Sequence, residues 1–220
     1  MAKFYNWLIF SLVNPRIKLL IDKYANGIIL DIGCGEKPYR NFTLNSGIKH
    51  IGIDHIESLH NRLHVDVVSN AYGLPFKENT FNFILCTYVL EHLEEPAKSI
   101  KEALRVLKSN AYAVYVVPFF WHLHEEPRDF FRYSIHGLQY LFEKNGFVVV
   151  DIIPVSGFIV TFTQEMCYYL LRFRAGGIFN PLWWLIPPFL LFIQLVSYFL
   201  NKIDHSTEFS IEYIAVVRKR

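Results

Sequence analysis

Between Arg174 and Lys202 the chain runs for 27 residues without a charge, AGGIFNPLWWLIPPFLLFIQLVSYFLN. Such a run crosses a bilayer, lies on one, or is buried in a large core. Pro181 to Leu200 alone would make about 30 Å of helix, the thickness of a hydrocarbon core. Trp183, Trp184 and Tyr198 stand near its ends like interface anchors. Pro187 and Pro188 remove two backbone donors inside it and disfavour helix at the residue before them. The expectation is a kinked pair of half-helices dipping into one leaflet. The flanking sequence decides between crossing and returning. FVVVDIIPV (147–155) and IEYIAVV (211–217) both read as strands. If 181–200 crossed a membrane, the second could not pair with the first. The insert, residues 157–209, is therefore expected to leave and return on one face.

The rest of the chain is balanced differently. Hydrophobic residues make up 52% of the 220 and charged residues only 19%, so disorder is excluded and a core is easily built. The formal net charge of +2 is too mild to indicate a nucleic-acid partner. Cys34, Cys86 and Cys167 lie far apart with no CxxC, so neither a disulfide framework nor a structural zinc site is encoded. A reducing, cytoplasmic compartment follows. The opening MAKFYNWLIFSLVNPR has 12 uncharged residues between Lys3 and Arg16, too few to span a bilayer. It lacks the marks of a signal peptide. Residues 1–26 read as a helical segment, packed on the domain or lying at a membrane interface through Phe4, Tyr5, Trp7 and Phe10.

Asn14-Pro15 has the form of a helix start, and Ile17, Leu20, Ile21 and Tyr24 follow at helical spacing. GIILDIG (27–33) is a continuous apolar run with β-branched residues, a buried strand. HIGID (50–54), LHVDVV (63–68), FNFILCTYV (81–89) and AYAVYVVPF (111–119) follow as strands two to five. Pro96–Leu107 carries Ile100, Ala103, Leu104 and Leu107 on one helical face. Ser134–Asn145 reads as a capped helix with Gly146 just past its end. With 147–155 and 211–217 the count is seven. Alternating strands and helices predict a doubly wound α/β fold: a mostly parallel seven-stranded sheet with helices on both faces. The domain would comprise residues 27–156 and 210–220, with an apolar helical insert before the last strand.

The first strand ends in Asp31-Ile32-Gly33-Cys34-Gly35. The glycines let the backbone turn sharply and approach a ligand. A dinucleotide fingerprint needs a third glycine where Pro38 stands, and a phosphate loop needs Gly-Lys-Ser/Thr; both are absent. An acidic-x-Gly-x-Gly turn remains, at the strand end where open α/β sheets bind ligands. Asp54, 19 residues beyond Gly35, closes strand two and suits bidentate bonding to ribose hydroxyls.

Taken in order, DIGCG, GID, LPFKENTFNFILCTYVLEHL and RVLKSNAYAVYVVP resemble a class I S-adenosylmethionine-dependent methyltransferase of the small-molecule branch. The resemblance covers roughly residues 27–155 and the last strand. It implies that Asp31, Gly33, Cys34 and Gly35 line the methionine part of S-adenosylmethionine, and that Asp54 holds the ribose. It implies that Asn70, with Ala71, stands where the family often carries an aspartate for the adenine amine; Asp66 is the alternative. Tyr88 and His92 would flank the site after strand four.

After strand five comes PFFWHLHEEPRDFFRYS (118–134), dense in histidine, carboxylate and arginine. One reading is a loop stitched by ion pairs such as Asp129 with Arg132. The other is acceptor binding, with His122, or His124 with Glu125, taking the proton of an alcohol acceptor. Adjacent residues on an extended chain point apart, so Glu125 is also a partner for some other histidine. No metal is expected, because nothing else in the loop supplies close ligands to His122 and His124. The reading is an enzyme that O-methylates a small or lipid-linked acceptor at the inner membrane face, without nucleic acid. A soluble lid over an apolar acceptor is a second version. The rival class is a cofactor-fold module that docks through its insert without turnover.

Overall fold

The computed structural model describes residues 4–44, 46–174 and 177–220, the side chains of Arg174 and Ile178 excepted. Lys3, the Arg174 side chain and residues 175–176 of the uncharged run thus lie outside the description. The strands are β1 (Ile28–Ile32), β2 (Lys49–Asp54), β3 (Val67–Val68), β4 (Phe81–Thr87), β5 (Leu107–Pro118), β6 (Phe147–Pro154) and β7 (Glu212–Lys219). The helices are α1 (Trp7–Tyr24), α2 (Arg40–Thr43), α3 (Pro96–Val106), α4 (Ile135–Lys144), α5 (Phe158–Leu171) and α6 (Leu182–Leu200).

The seven strands form one sheet in the order β3-β2-β1-β4-β5-β7-β6. β1 pairs in parallel with β2 and β4, β2 with β3, and β4 with β5. β7 lies between β5 and β6, as the return of the chain after the insert requires. Ile29, Leu30, Ile32, Phe83, Ile84, Leu85, Val114 and Val116 are all fully or almost fully buried. Each contributes about 1.5–3 kcal/mol of transfer free energy. Register aligns Asp31 with Gly52 and Leu85, and Thr87 with Val116, so the carboxyl ends of β1, β2 and β4 lie side by side.

Strand three is shorter than 63–68. Asp66 precedes it, and its Oδ2 accepts the Gly52 N–H at 2.7 Å and the Lys37 ammonium at 2.5 Å. A side chain thus takes a ladder donor of β2, while the Asp66 N–H donates to the Gly52 carbonyl at 2.9 Å; the paired register is Ile53 with Val67 and Asp54 with Val68. The expectation for α4 holds: Ser134 Oγ accepts the Gly137 N–H at 3.1 Å, and Gly146 follows at φ +96°.

The chain divides into two compact units. One comprises Ile17–Pro118, Leu123–Ile153 and Tyr213–Arg220; the other takes the chain up to Arg16, Phe119–His122 and Pro154–Glu212. Residues 4–16 thus group with the insert, and Ile17–Tyr24, which the sequence reading placed with them in a 1–26 segment, group with the sheet. Asn14-Pro15 is not a helix start: α1 runs unbroken through Pro15, which forgoes a single backbone bond, to the carbonyl four residues back.

In the second unit the buried faces of the helices are mixed. α5 buries Thr161, Thr163 and Gln164 beside Val160 and Cys167, and α6 buries Gln194 and Ser197 beside Ile186 and Leu190. Gln194 Oε1 accepts the Leu8 N–H at 3.1 Å, and Thr163 Oγ1 lies 2.6 Å from Ser197 Oγ. Gln164 Nε2 donates to the Tyr5 carbonyl, and Tyr168 to Asn6 Oδ1. The outside is apolar: Phe162, Phe179, Trp184, Leu185, Phe192, Leu195 and Phe199 are exposed. α6 is one helix of 19 residues with both prolines inside it, so the two half-helices of the sequence reading are not formed. Pro187 and Pro188 sit in its second turn, where only two bonds, to the Trp183 and Trp184 carbonyls, are forgone.

Candidate active site

β1 delivers Asp31 to its carboxyl end, fully buried, with Oδ2 3.1 Å from His50 Nε2. Its other oxygen, Oδ1, is buried without a hydrogen-bond partner among the described residues. Burial raises the Asp31 pKa, and His50 and Lys37 relieve this only in part. A buried acceptor in that condition fits an incoming ammonium.

Gly33 and Gly35 both have left-handed backbones, φ +67° and +49°. At Gly33 a Cβ would also come within 2.3 Å of Val89 Cγ2, so the turn is packed against the segment that follows β4. Cys34 is buried between them; its N–H donates to Ile53 and its thiol pKa is pushed up to about 12 by burial. Asp54 ends β2 and bridges two backbones: Oδ2 accepts the Gly35 N–H at 2.7 Å and Oδ1 the His55 N–H at 2.7 Å. The loop and the acidic strand end are therefore one bonded unit. Asn70 is exposed, and its Oδ1 accepts the Tyr72 N–H at 2.9 Å, making the turn that contains Ala71. Asp66, the alternative for adenine, is occupied by Lys37 and Gly52.

Tyr88 follows β4 with φ +56°, a conformation costing a tyrosine about 1–2 kcal/mol, with its N–H donated to the Val116 carbonyl. Strain of that kind collects at functional sites. The 3-10 turn Leu90–His92 comes next. His92 Nδ1 lies 2.5 Å from the Arg128 carbonyl oxygen, and its Nε2 lies 3.8 Å from Glu125 Oε2.

The loop after β5 is divided. His122 belongs to the apolar unit, with Nδ1 3.3 Å from Glu165 Oε2 and its ring 4.1 Å from that of Tyr168. His124, in the sheet unit, has Nδ1 3.3 Å from Asp129 Oδ2. Glu125 turns to His60, at 3.5 Å, and His92, in a left-handed backbone of φ +52°. The hydrogen bond to His60 lowers the Glu125 pKa and raises that of His60. Asp129 is held by Arg132 through two bonds of 2.6 and 2.7 Å, so the ion pair read from the sequence is formed. Burial opposes Asp129 ionisation, but Arg132, the His124 N–H and neighbouring charge outweigh it, leaving a pKa of about 2. Sequence reasoning missed His50, Glu165 and His60. The first closes onto Asp31 from β2, and no spacing rule couples the other two to the loop.

Residues 30–115 match the family described as "Methyltransferase domain". An uncharacterized protein of Methanocaldococcus jannaschii is 34% identical over 113 residues, 49% of each chain. A probable tRNA methyltransferase 9B of Mus musculus is 28% identical over 129 residues, 55% of this chain and 28% of that protein. The chain thus spans half or less of the length of these curated relatives. Among solved structures, a SAM-dependent methyltransferase from Archaeoglobus fulgidus superposes with a TM-score of 0.58 at 20% identity, covering 95% of this chain and 94% of that one. Residues 30–115 thus match a methyltransferase domain, and the fold is shared with solved S-adenosylmethionine-dependent methyltransferases. The buried Asp31 oxygen, the glycine turn and Asp54 fit S-adenosylmethionine, the cofactor of the enzymes that share this fold.

Proposed function

We propose that this chain O-methylates an amphiphilic or lipid-linked small molecule at the inner face of a membrane. The observation that carries the reading is the large apolar surface that α5 and α6 expose while burying Thr163, Gln164, Gln194 and Ser197. Large apolar patches on a chain surface mark contact with lipid or a partner. Seating several of these side chains at about 1.5–3 kcal/mol each gives firm attachment after ordering costs. Arg172 and Lys202 flank the run and would add about 1 kcal/mol each against anionic head groups. Because β6 and β7 are neighbours in one sheet, the hairpin departs and returns on the same side. This supports monotopic attachment.

In this reading Asp31 receives the methionine ammonium, Gly33, Cys34 and Gly35 border its chain, and Asp54 takes the ribose hydroxyls. Asn70 and Ala71 border the adenine, and Tyr88 and His92 flank the site. When bound, S-adenosylmethionine supplies an electrophilic methyl carbon, so the oxygen–carbon bond forms as the carbon–sulfur bond breaks and the thioether departs neutral. The chain then has two tasks: holding the acceptor oxygen in line, and removing its proton. His122 beside Glu165, or His124 beside Asp129, accepts that proton and passes it to solvent.

The test is mass spectrometry of lipid, glycan and tRNA fractions from cells with and without the chain, joined to methyl transfer from labelled cofactor. A 14 Da difference confined to an amphiphile supports the reading. A labelled tRNA would replace it with an RNA acceptor, and no transfer to any fraction would favour the docking module.

A further inference from the structure

Three ligand-type side chains of the sheet unit converge. Glu91, His92 and His124 each place one donor atom within 4.8 Å of the others. The His92 and His124 rings meet edge to face, with centroids 4.8 Å apart. Glu91 is fully buried in the turn after β4, and its carbonyl accepts the Phe130 N–H at 2.9 Å. That bond ties the loop carrying His124 to the turn carrying the other two.

Each histidine is oriented from behind. A carbonyl oxygen only accepts, so the 2.5 Å contact with Arg128 puts the proton of His92 on Nδ1 and leaves Nε2 with its lone pair. His124 Nδ1 faces Asp129, whose side chain is buried and is itself held by Arg132; Arg132 Nη2 lies 3.5 Å from the same nitrogen. Imidazoles backed by a carbonyl and a carboxylate are the arrangement in which metal-ligating histidines are held.

We propose that Glu91, His92 and His124 form a site for one divalent first-row transition-metal ion, zinc(II) being the best match. Two imidazoles and a carboxylate suit such ions better than magnesium or calcium, which prefer all-oxygen sets. Three protein donors leave a position for water or an acceptor oxygen, as catalytic zinc sites do. Glu125, 3.8 Å from His92 Nε2, stands at the rim. The inference is independent of the acceptor proposed above. It makes His92 and His124 ligands and leaves the proton to His122.

The test uses the tag-free full chain in detergent micelles, stripped with a chelator and titrated with cobalt(II) chloride. One equivalent should bind with visible d–d absorption, and zinc(II) should displace it. His92→Ala and His124→Ala, checked for folding by circular dichroism, should each abolish the band. Asp129→Asn should keep the stoichiometry and weaken binding about 10–100-fold. His136→Ala, on α4, should change nothing. X-ray absorption of the zinc form should count two imidazoles. Unchanged cobalt binding in both histidine variants, or a zinc spectrum with fewer than two imidazoles, overturns the site.

Discussion

Asp54 Oδ2 accepts the Gly35 N–H at 2.7 Å, joining the end of β2 to the glycine turn after β1. The carboxylate thus shapes the glycine turn, besides the ribose contact proposed for it. Asp54→Ala loses charge-assisted bonds worth about 1.5–3 kcal/mol each. Titration calorimetry should show S-adenosylmethionine binding weakened about tenfold or more, with Asp54→Asn between. Equal affinity in wild type and Asp54→Ala would sink the assignment.

Asp31 gives the cofactor affinity a pH dependence of definite sign. Burial raises its pKa in the free protein, and an arriving ammonium lowers it. The complex then carries fewer protons than its parts, so binding tightens as pH rises from about 4 through the raised value. Calorimetry in buffers of different ionisation enthalpy should record proton release on binding. Proton uptake would rule out Asp31 as the ammonium's partner.

In the proposed reading, the metal assignment leaves the role of base to His122, which lies 3.3 Å from Glu165. His122→Ala should lower kcat about 10²–10⁴-fold with cofactor affinity intact. Full turnover in that variant means the proton goes elsewhere.

The His60–Glu125 pair has a window. The raised His60 pKa adds stability below about pH 6.5 that is lost as pH climbs through the raised value. The lowered Glu125 pKa adds stability above about pH 4.3 that is lost as pH falls. The contact is strongest between the two. NMR titration should find His60 above its ordinary pKa, and Glu125→Gln should return it there; an unmoved His60 in that variant refutes the pairing.

The buried polar groups and exposed apolar face of α6 predict opposite responses to opposite substitutions. Gln194→Leu leaves the Leu8 N–H buried without its acceptor and should destabilise by about 1–3 kcal/mol in chemical unfolding. Phe192→Asp, on the exposed face, should leave the fold intact and shift the chain from membrane to supernatant in fractionation. Thiols placed at Ser156 and Ser206 should label from the same, cytoplasmic side. Labelling from opposite sides excludes a monotopic insert.

Much of this was legible because buried parallel strands are written as apolar runs with glycine punctuation, as in 27–33 and 81–87. Pro15, Pro187 and Pro188 misled, since a proline's cost is local and the tertiary packing of a helix can absorb it. Strand three was misjudged because Asp66 competes with the backbone for Gly52, a contest no alternation pattern records. The Asp31–Gly35 turn and Asp54 were visible because one backbone motif encodes them. The pairings His50–Asp31, His60–Glu125 and His122–Glu165 depend on long-range closure.

β7 fits between β5 and β6, yet the ribosome makes it only after the apolar hairpin. Until then β5 and β6 have no strand between them, and each exposes an unpaired edge. For the time it takes to translate the stretch from Val155 to Glu212, the growing chain presents open β edges and an oily hairpin together, the combination that aggregates most readily. Early capture of the hairpin by lipid would remove one hazard while the other waits for β7. Cell-free synthesis should therefore yield soluble aggregate without vesicles and active sheet with them.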